Sequence, residues 1–193
     1  FYLVITDILS RLKKSLVEEK KLARVDDITG IANRVSFLEL IRFQFEQAKR
    51  FNRTFALAYM DVDNFKSVND TFGHQTGDDL LRLIAVTIKQ SIRASDLAAR
   101  IGGDEFTILF PEIDCKSAHR AIAKIQNNLK SAVHAGSFPV TFSFGVAIFT
   151  AAPGSINEAI KLADSLMYAV KKGTKGTARF ALYQGAKEEV VFC

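Results

Sequence analysis

The chain has 193 residues, 48% hydrophobic and 24% charged with only three prolines, which suits one well-filled domain plus an appendage and excludes a disordered or fibrous protein. Its net charge of +5 is scattered, with no basic stripe interleaved with aromatics, so a nucleic-acid partner is not expected. Cys115 and Cys193 lie far apart without metal-ligand spacing, which points to a reducing compartment, the cytoplasm, and away from a disulfide framework.

The opening "FYLVI" is too short to cross a bilayer but fits the inner end of a span lying upstream. A cytoplasmic domain cut from a longer, membrane-anchored protein is therefore one expectation. From Ile5, the residues Leu9, Leu12, Leu16 and Ala23 follow four-three spacing, interrupted by Glu19. This reads either as a short coiled coil, where an upstream sensory module would connect, or as an amphipathic helix docked on its own domain. The division that follows is a linker helix at 1–25, a globular domain at 26–185 and a tail at 186–193.

Within the domain, "VSFLELIRFQFEQAKRF" places Phe37, Leu40, Ile41, Phe45 and Ala48 on one helical face. "TFALAYMDVD" is short, apolar and β-rich, and predicts a buried strand that delivers Asp61 at its far end. The polar run "MDVDNFKSVNDTFGHQTGDD" then reads as a binding loop, ordered in part by His74, before a helix in "GDDLLRLIAVTIKQSI". "LAARIGGDEFTILF" predicts a hairpin turning at Gly102 and Gly103. A helix from about Lys116 to Val133, a strand around "VTFSFGVAIF", a helix from about Ile156 to Lys172 and a strand near "ARFALY" complete the chain. His119 and His134 read as helix-surface residues, and the sixteen phenylalanines as core. The order is that of an α+β fold, without the regular alternation of a dinucleotide fold and without a G-x-G-x-x-G or P-loop fingerprint.

If the predicted strands pair as neighbours, Asp61 and Asp63 meet Asp104 and Glu105 of the hairpin turn at one sheet edge. Carboxylates so close repel, and a hard divalent cation such as Mg²⁺ resolves the repulsion while leaving room for phosphate oxygens. Two such ions activate a hydroxyl and stabilise a leaving pyrophosphate. Lys66 is placed to neutralise phosphate, and Asn69 with Asp78 offers the amide and carboxylate that a guanine edge requires. Taken alone, "GGDE" reads first as a polar turn with solvated acids; the polar run "MDVDNFKSVNDTFGHQTGDD" upstream is what shifts the reading toward a binding site.

The blocks "DDITGIANR", "DVDNFKSVNDTFGHQTGDD", "RIGGDEF", "SFGVA" and "LMYAVKKG", in order from Asp26 to Tyr183, resemble the GGDEF family of diguanylate cyclases. The resemblance implies a palm-like nucleotidyl cyclase fold, a mostly antiparallel sheet flanked by helices with the signature on a β-hairpin. It implies an enzyme that joins two GTP into cyclic di-GMP, releasing two pyrophosphates, as a homodimer whose half-sites face each other. By position, Asp61, Asp104, Glu105 and the Val62 carbonyl are the implied ligands of Mg²⁺ or Mn²⁺. Asp104 and Glu105 are the implied catalytic acids, and Lys66 the charge stabiliser. Asn69 and Asp78 read guanine, Phe65 belongs to the nucleotide site, and Lys171 and Lys175 meet the triphosphate. Arg93 and Asp96 of "RASD" match an R-x-x-D product-inhibition site. Thr174, Lys175 and Gly176 depart from the family's usual Gly-Arg-Asn, keeping charge but losing the bidentate guanidinium. A catalytically weak module that binds GTP or cyclic di-GMP is the competing class, and the acceptor character of Asp78 disfavours adenine.

Overall fold

A computed structural model describes residues 24–185 together with Ile5, Thr6 and Arg11, so most of the expected linker helix and the whole tail lie outside the described residues. The domain begins with β1 (Ala32–Asn33) and α1 (Arg34–Phe51), where the Asn33 side chain accepts from the amides of Val35 and Ser36. This cap satisfies two of the helix's orphan donors. No sequence period announces β1, which is only two residues long. α1 buries Phe37, Ile41, Phe45 and Ala48 as its spacing predicts, but Leu40, expected on the same face, is exposed.

β2 (Phe55–Asp63) is buried along its whole length because it pairs on both sides, with β4 (Glu105–Pro111) and β5 (Thr141–Phe149), each antiparallel. β3 (Leu97–Gly102) forms the expected hairpin with β4, and with β6 (Ala178–Tyr183) the sheet runs β1-β3-β4-β2-β5-β6. The four central strands are antiparallel and the two outermost join in parallel. This is the α+β, helix-flanked sheet that the sequence predicts.

The polar run after β2, expected as a binding loop, is helical. It is not a loop but α2 (Phe65–Phe72), the break at Gly73, and α3 (His74–Ser91), which His74 opens. α2 buries Val68 and packs Phe65 against the core, a short apolar face set in an otherwise polar run. Positive φ at Asn64 and Gly73 punctuates both ends.

α3 and α4 (Cys115–Ala135) cover one face of the sheet, against Met60, Phe106, Ile108 and Phe144, while α1 and α5 (Ile156–Lys172) cover the other, against Leu57, Tyr59, Leu109 and Ala147. His119, expected on the surface of α4, is half-buried with its ring stacked on Phe180 at 3.7 Å between centroids. The strand period of two sends Ala58, Met60 and Val62 toward α3 and α4, and Leu57 and Tyr59 toward α1 and α5. Continued two and four residues, that period puts Asp61 and Asp63 on the α5 side. There α5 lies directly on β5, since a Cβ on Gly145 would fall 2.1 Å from the Met167 nitrogen. The close approach brings Lys171, one helical turn beyond Met167, over the end of β2.

Candidate active site

The signature turn is Gly103 and Asp104, one residue later than the expected Gly102 and Gly103, because Gly102 still pairs with Glu105 in the ladder; Gly103 has φ 55. Asp61 stands opposite Glu105 in the ladder, and the Val62 amide donates to the Asp104 carbonyl at 3.2 Å. The acids of two separate strands thus converge, as the sequence predicts. Lys171 Nζ lies 2.8 Å from Asp61 Oδ2. The other oxygen, Asp61 Oδ1, is buried and has no hydrogen-bond partner among the described residues.

Burial is the main force pushing the Asp61 carboxyl above the usual range, Asp104 and Asp63 add to it, and Lys171 only partly opposes it. Glu105 is raised by burial and by Asp61, Asp164 and Asp104. Burial pulls the Lys171 ammonium down, but Asp61, Asp104 and Asp63 hold it above its ordinary value. Tyr59, beneath them, is pushed up to about 12 by burial, Asp164 and Glu105. A single lysine faces several acids, and the cluster is short of positive charge.

A second arrangement braces the turn. Arg100 of β3, nearly buried, donates from Nε and Nη2 to the Gly103 carbonyl at 2.9 and 2.7 Å, and from Nη1 to Asp26 Oδ1 at 3.0 Å. Asp26 also accepts from the Thr29 amide and hydroxyl at 2.9 and 2.6 Å. Burial raises the Asp26 carboxyl, yet Thr29 and Arg100 together hold it below the usual range. Sequence reasoning did not single out either residue. The available signal is an arginine inside an otherwise apolar strand, which requires an acid partner when buried.

The remaining candidates fall in three places. Phe65, Lys66 and Asn69 lie on α2 and Asp78 on α3, and the Asn69 amide rests against Gly77, where a Cβ would meet Oδ1 at 2.0 Å. Asn69 thus lies beside Gly77, the residue preceding Asp78, while Lys66 is exposed. Lys175 is exposed and lines a groove of about 770 Å³ with Lys130, His134, Thr141 and Gly176. Arg93 and Asp96 form the turn before β3, at the opposite end of that strand from the signature. Asp96 Oδ2 accepts from the Arg93 amide at 2.9 Å, and both residues line a cavity of about 350 Å³ with Gly30, Ile31 and Lys89.

A family model described as "Diguanylate cyclase, GGDEF domain" matches residues 23–177. The chain belongs to the GGDEF family. It is 36% identical over 167 residues to the uncharacterized protein YhcK of Bacillus subtilis, covering 82% of this chain and 46% of that protein. It is 31% identical over 172 residues to the probable diguanylate cyclase DgcC of Escherichia coli, covering 86% of this chain and 46% of that one. The chain thus spans about half the length of these curated relatives. Among solved structures, the coiled coil and GGDEF domain of DgcB from Caulobacter crescentus in complex with c-di-GMP superposes with a TM-score of 0.74 at 29% identity, covering 91% of this chain and 95% of that chain. With GGDEF membership, "RIGGDEF" is the family signature, and the converging acids are the part of the domain that carries it.

Proposed function

We propose that this GGDEF domain condenses two GTP into cyclic di-GMP and releases two pyrophosphates. The observation that carries the reading is the meeting of Asp61 with Asp104 and Glu105 beneath Lys171, with one buried oxygen of Asp61 unpartnered. That oxygen and the raised acids fit a hard divalent cation, Mg²⁺ or Mn²⁺. Among the described residues no three Asp, Glu, His or Cys side chains form a cage for a metal. The set matches instead a cation held by few carboxylates and completed by substrate phosphate oxygens. Asp61, Asp104, Glu105 and the Val62 carbonyl are the groups from which its few protein ligands would be drawn. When bound, such a cation lowers the pKa of an attacking hydroxyl and neutralises a leaving pyrophosphate.

The chain's own residues do the rest. Asn69 and Asp78 present an amide and an acceptor to the guanine edge, with Phe65 beside them. Lys171 and Lys175 bring positive charge to the triphosphate, and Lys66 stabilises charge from α2. Asp104, on the turn braced by Arg100, helps to take the proton of the 3′-hydroxyl that attacks the α-phosphate. Two domains, each with one GTP, face each other to make both linkages, so catalysis requires a homodimer. Arg93 offers a planar fork to product guanine or phosphate and Asp96 an acceptor, which makes their cavity the product-inhibition site. Residues 26–185 form the cyclase domain, with 1–25 linking it to an upstream sensory module at the cytoplasmic side of a membrane. No helix among the described residues is long and apolar enough to cross a membrane.

Incubation with GTP and Mg²⁺, with the product identified by chromatography and mass, tests this reading. Cyclic di-GMP from the wild type and none from Asp104→Ala is the expected result. GTP binding without product would move the assignment to a signalling module.

A further inference from the structure

Asp63 stands apart from its neighbours in the acid cluster. Its carboxylate is 2% exposed, and both oxygens are engaged: Oδ2 accepts from Thr141 Oγ1 at 2.8 Å, and both oxygens lie 2.9 Å from Ser143 Oγ. The fourth contact comes from outside the sheet, where the Gly176 amide donates to Oδ2 at 3.2 Å. Gly176 lies in the segment 173–177 that joins α5 to β6, between Lys171 and Lys175 on one side and the β6 strand on the other. The segment's ends are held by other bonds: the Gly173 amide closes α5 on Ala169 and Val170, and the Phe144 amide donates to the Thr177 carbonyl. Between those ends it is held through Gly176, whose φ is +75 and whose missing Cβ would come within 3.2 Å of Thr141. A backbone amide on a buried carboxylate is a charge-assisted bond, stronger than an ordinary one.

We infer that Asp63 is a positioning residue whose carboxylate fastens the 173–177 segment to the end of β2 and thereby fixes where that segment carries Lys175 relative to Lys171 and the nucleotide. This rests on the proposed GTP site, and it gives Asp63 a task different from that of Asp61. A buried carboxylate that already accepts from two hydroxyls and a backbone amide is suited to the work of an anchor. Gly176, the last residue of the departure Thr174-Lys175-Gly176, fits the same account, because glycine, like asparagine, accepts the left-handed backbone found there.

The test combines two measurements on the whole chain. Hydrogen exchange reads the Gly176 amide without any ligand, and titration with Mg²⁺ and 3′-deoxy-GTP, which lacks the attacking hydroxyl, reads nucleotide affinity. Asp63→Ala is expected to deprotect Gly176 and weaken the nucleotide about tenfold. Asp63→Asn, which retains one acceptor for the amide, is expected to restore most of both. Lys175→Ala weakens binding in the wild type and adds little in the Asp63→Ala background. If Asp63→Ala does not fold, Thr141→Val removes one donor that orients the acid and shifts both readouts in the same direction by less. Unchanged Gly176 protection, unchanged affinity, or full additivity with Lys175→Ala overturns the anchor while leaving the proposed function standing. A wild type that binds no 3′-deoxy-GTP overturns both, and Gly176 exchange then reports whether the tether exists without its purpose.

Discussion

Asp61 and Asp63 are two residues apart on one face of one strand and equally buried, at 3% and 2% exposure, yet their surroundings give them opposite characters. Around Asp61 there is one lysine, several acids and an oxygen with no partner. Around Asp63 there are two hydroxyls and an amide, all donating. Neither burial nor sequence spacing separates a cation-seeking acid from a structural one. The inventory of donors does.

The largest expected effect breaks the comparison on the side of Asp61. Asp61→Ala and Asp104→Ala should each lower cyclic di-GMP formation by about 10³-fold or more, measured as initial product rate. Asp61→Asn should at the same time leave the thermal midpoint equal or higher, because it relieves repulsion among raised carboxyls. Next in size is the brace behind the turn: Arg100→Ala or Asp26→Ala leaves its partner uncompensated and should cost about 3 kcal/mol of stability by urea unfolding. Asp63→Ala belongs to the opposite class from Asp61→Asn, leaving buried hydroxyls without an acceptor and lowering stability by about 1–3 kcal/mol.

The smallest effects are those of pH, and they also divide by site. Asp61 and Glu105 are held above the usual carboxylate range, so their contribution to stability is present below about pH 4 and is lost as pH rises through their raised values. Asp26 is held low and acts in the reverse sense, contributing above about pH 4 and losing that contribution as pH falls. Thermal melts across this range should show Mg²⁺ raising the midpoint near neutral pH and ceasing to do so once the cluster is protonated. Asp26→Asn should remove stability at neutral pH without changing that Mg²⁺ response.

Much of this was legible before the fold. The apolar run of β2 ending in Asp61, and the glycines ahead of Asp104, mark a strand and a turn by elementary rules, and their pairing brings the acids together. What stayed hidden depends on partners distant in sequence. Arg100 and Asp26 are 74 positions apart, and Asp63 and Gly176 are 113 apart, so no local pattern joins them. α2 escapes notice for another reason: Phe65, Val68 and Phe72 do stand at helical spacing, but in eight residues bounded by Asn64 and Gly73 they are too few to stand out from the polar run around them. His119 reads as surface because its stacking partner Phe180 belongs to another element.

Calorimetric titration of 3′-deoxy-GTP into the wild type and Asp61→Asn, each with and without Mg²⁺, tests most directly whether β2 and the signature turn build one cation and nucleotide site. Mg²⁺ should tighten binding to the wild type by about tenfold or more and have no such effect on Asp61→Asn. Equal Mg²⁺ dependence in both proteins, or none in the wild type, would contradict it.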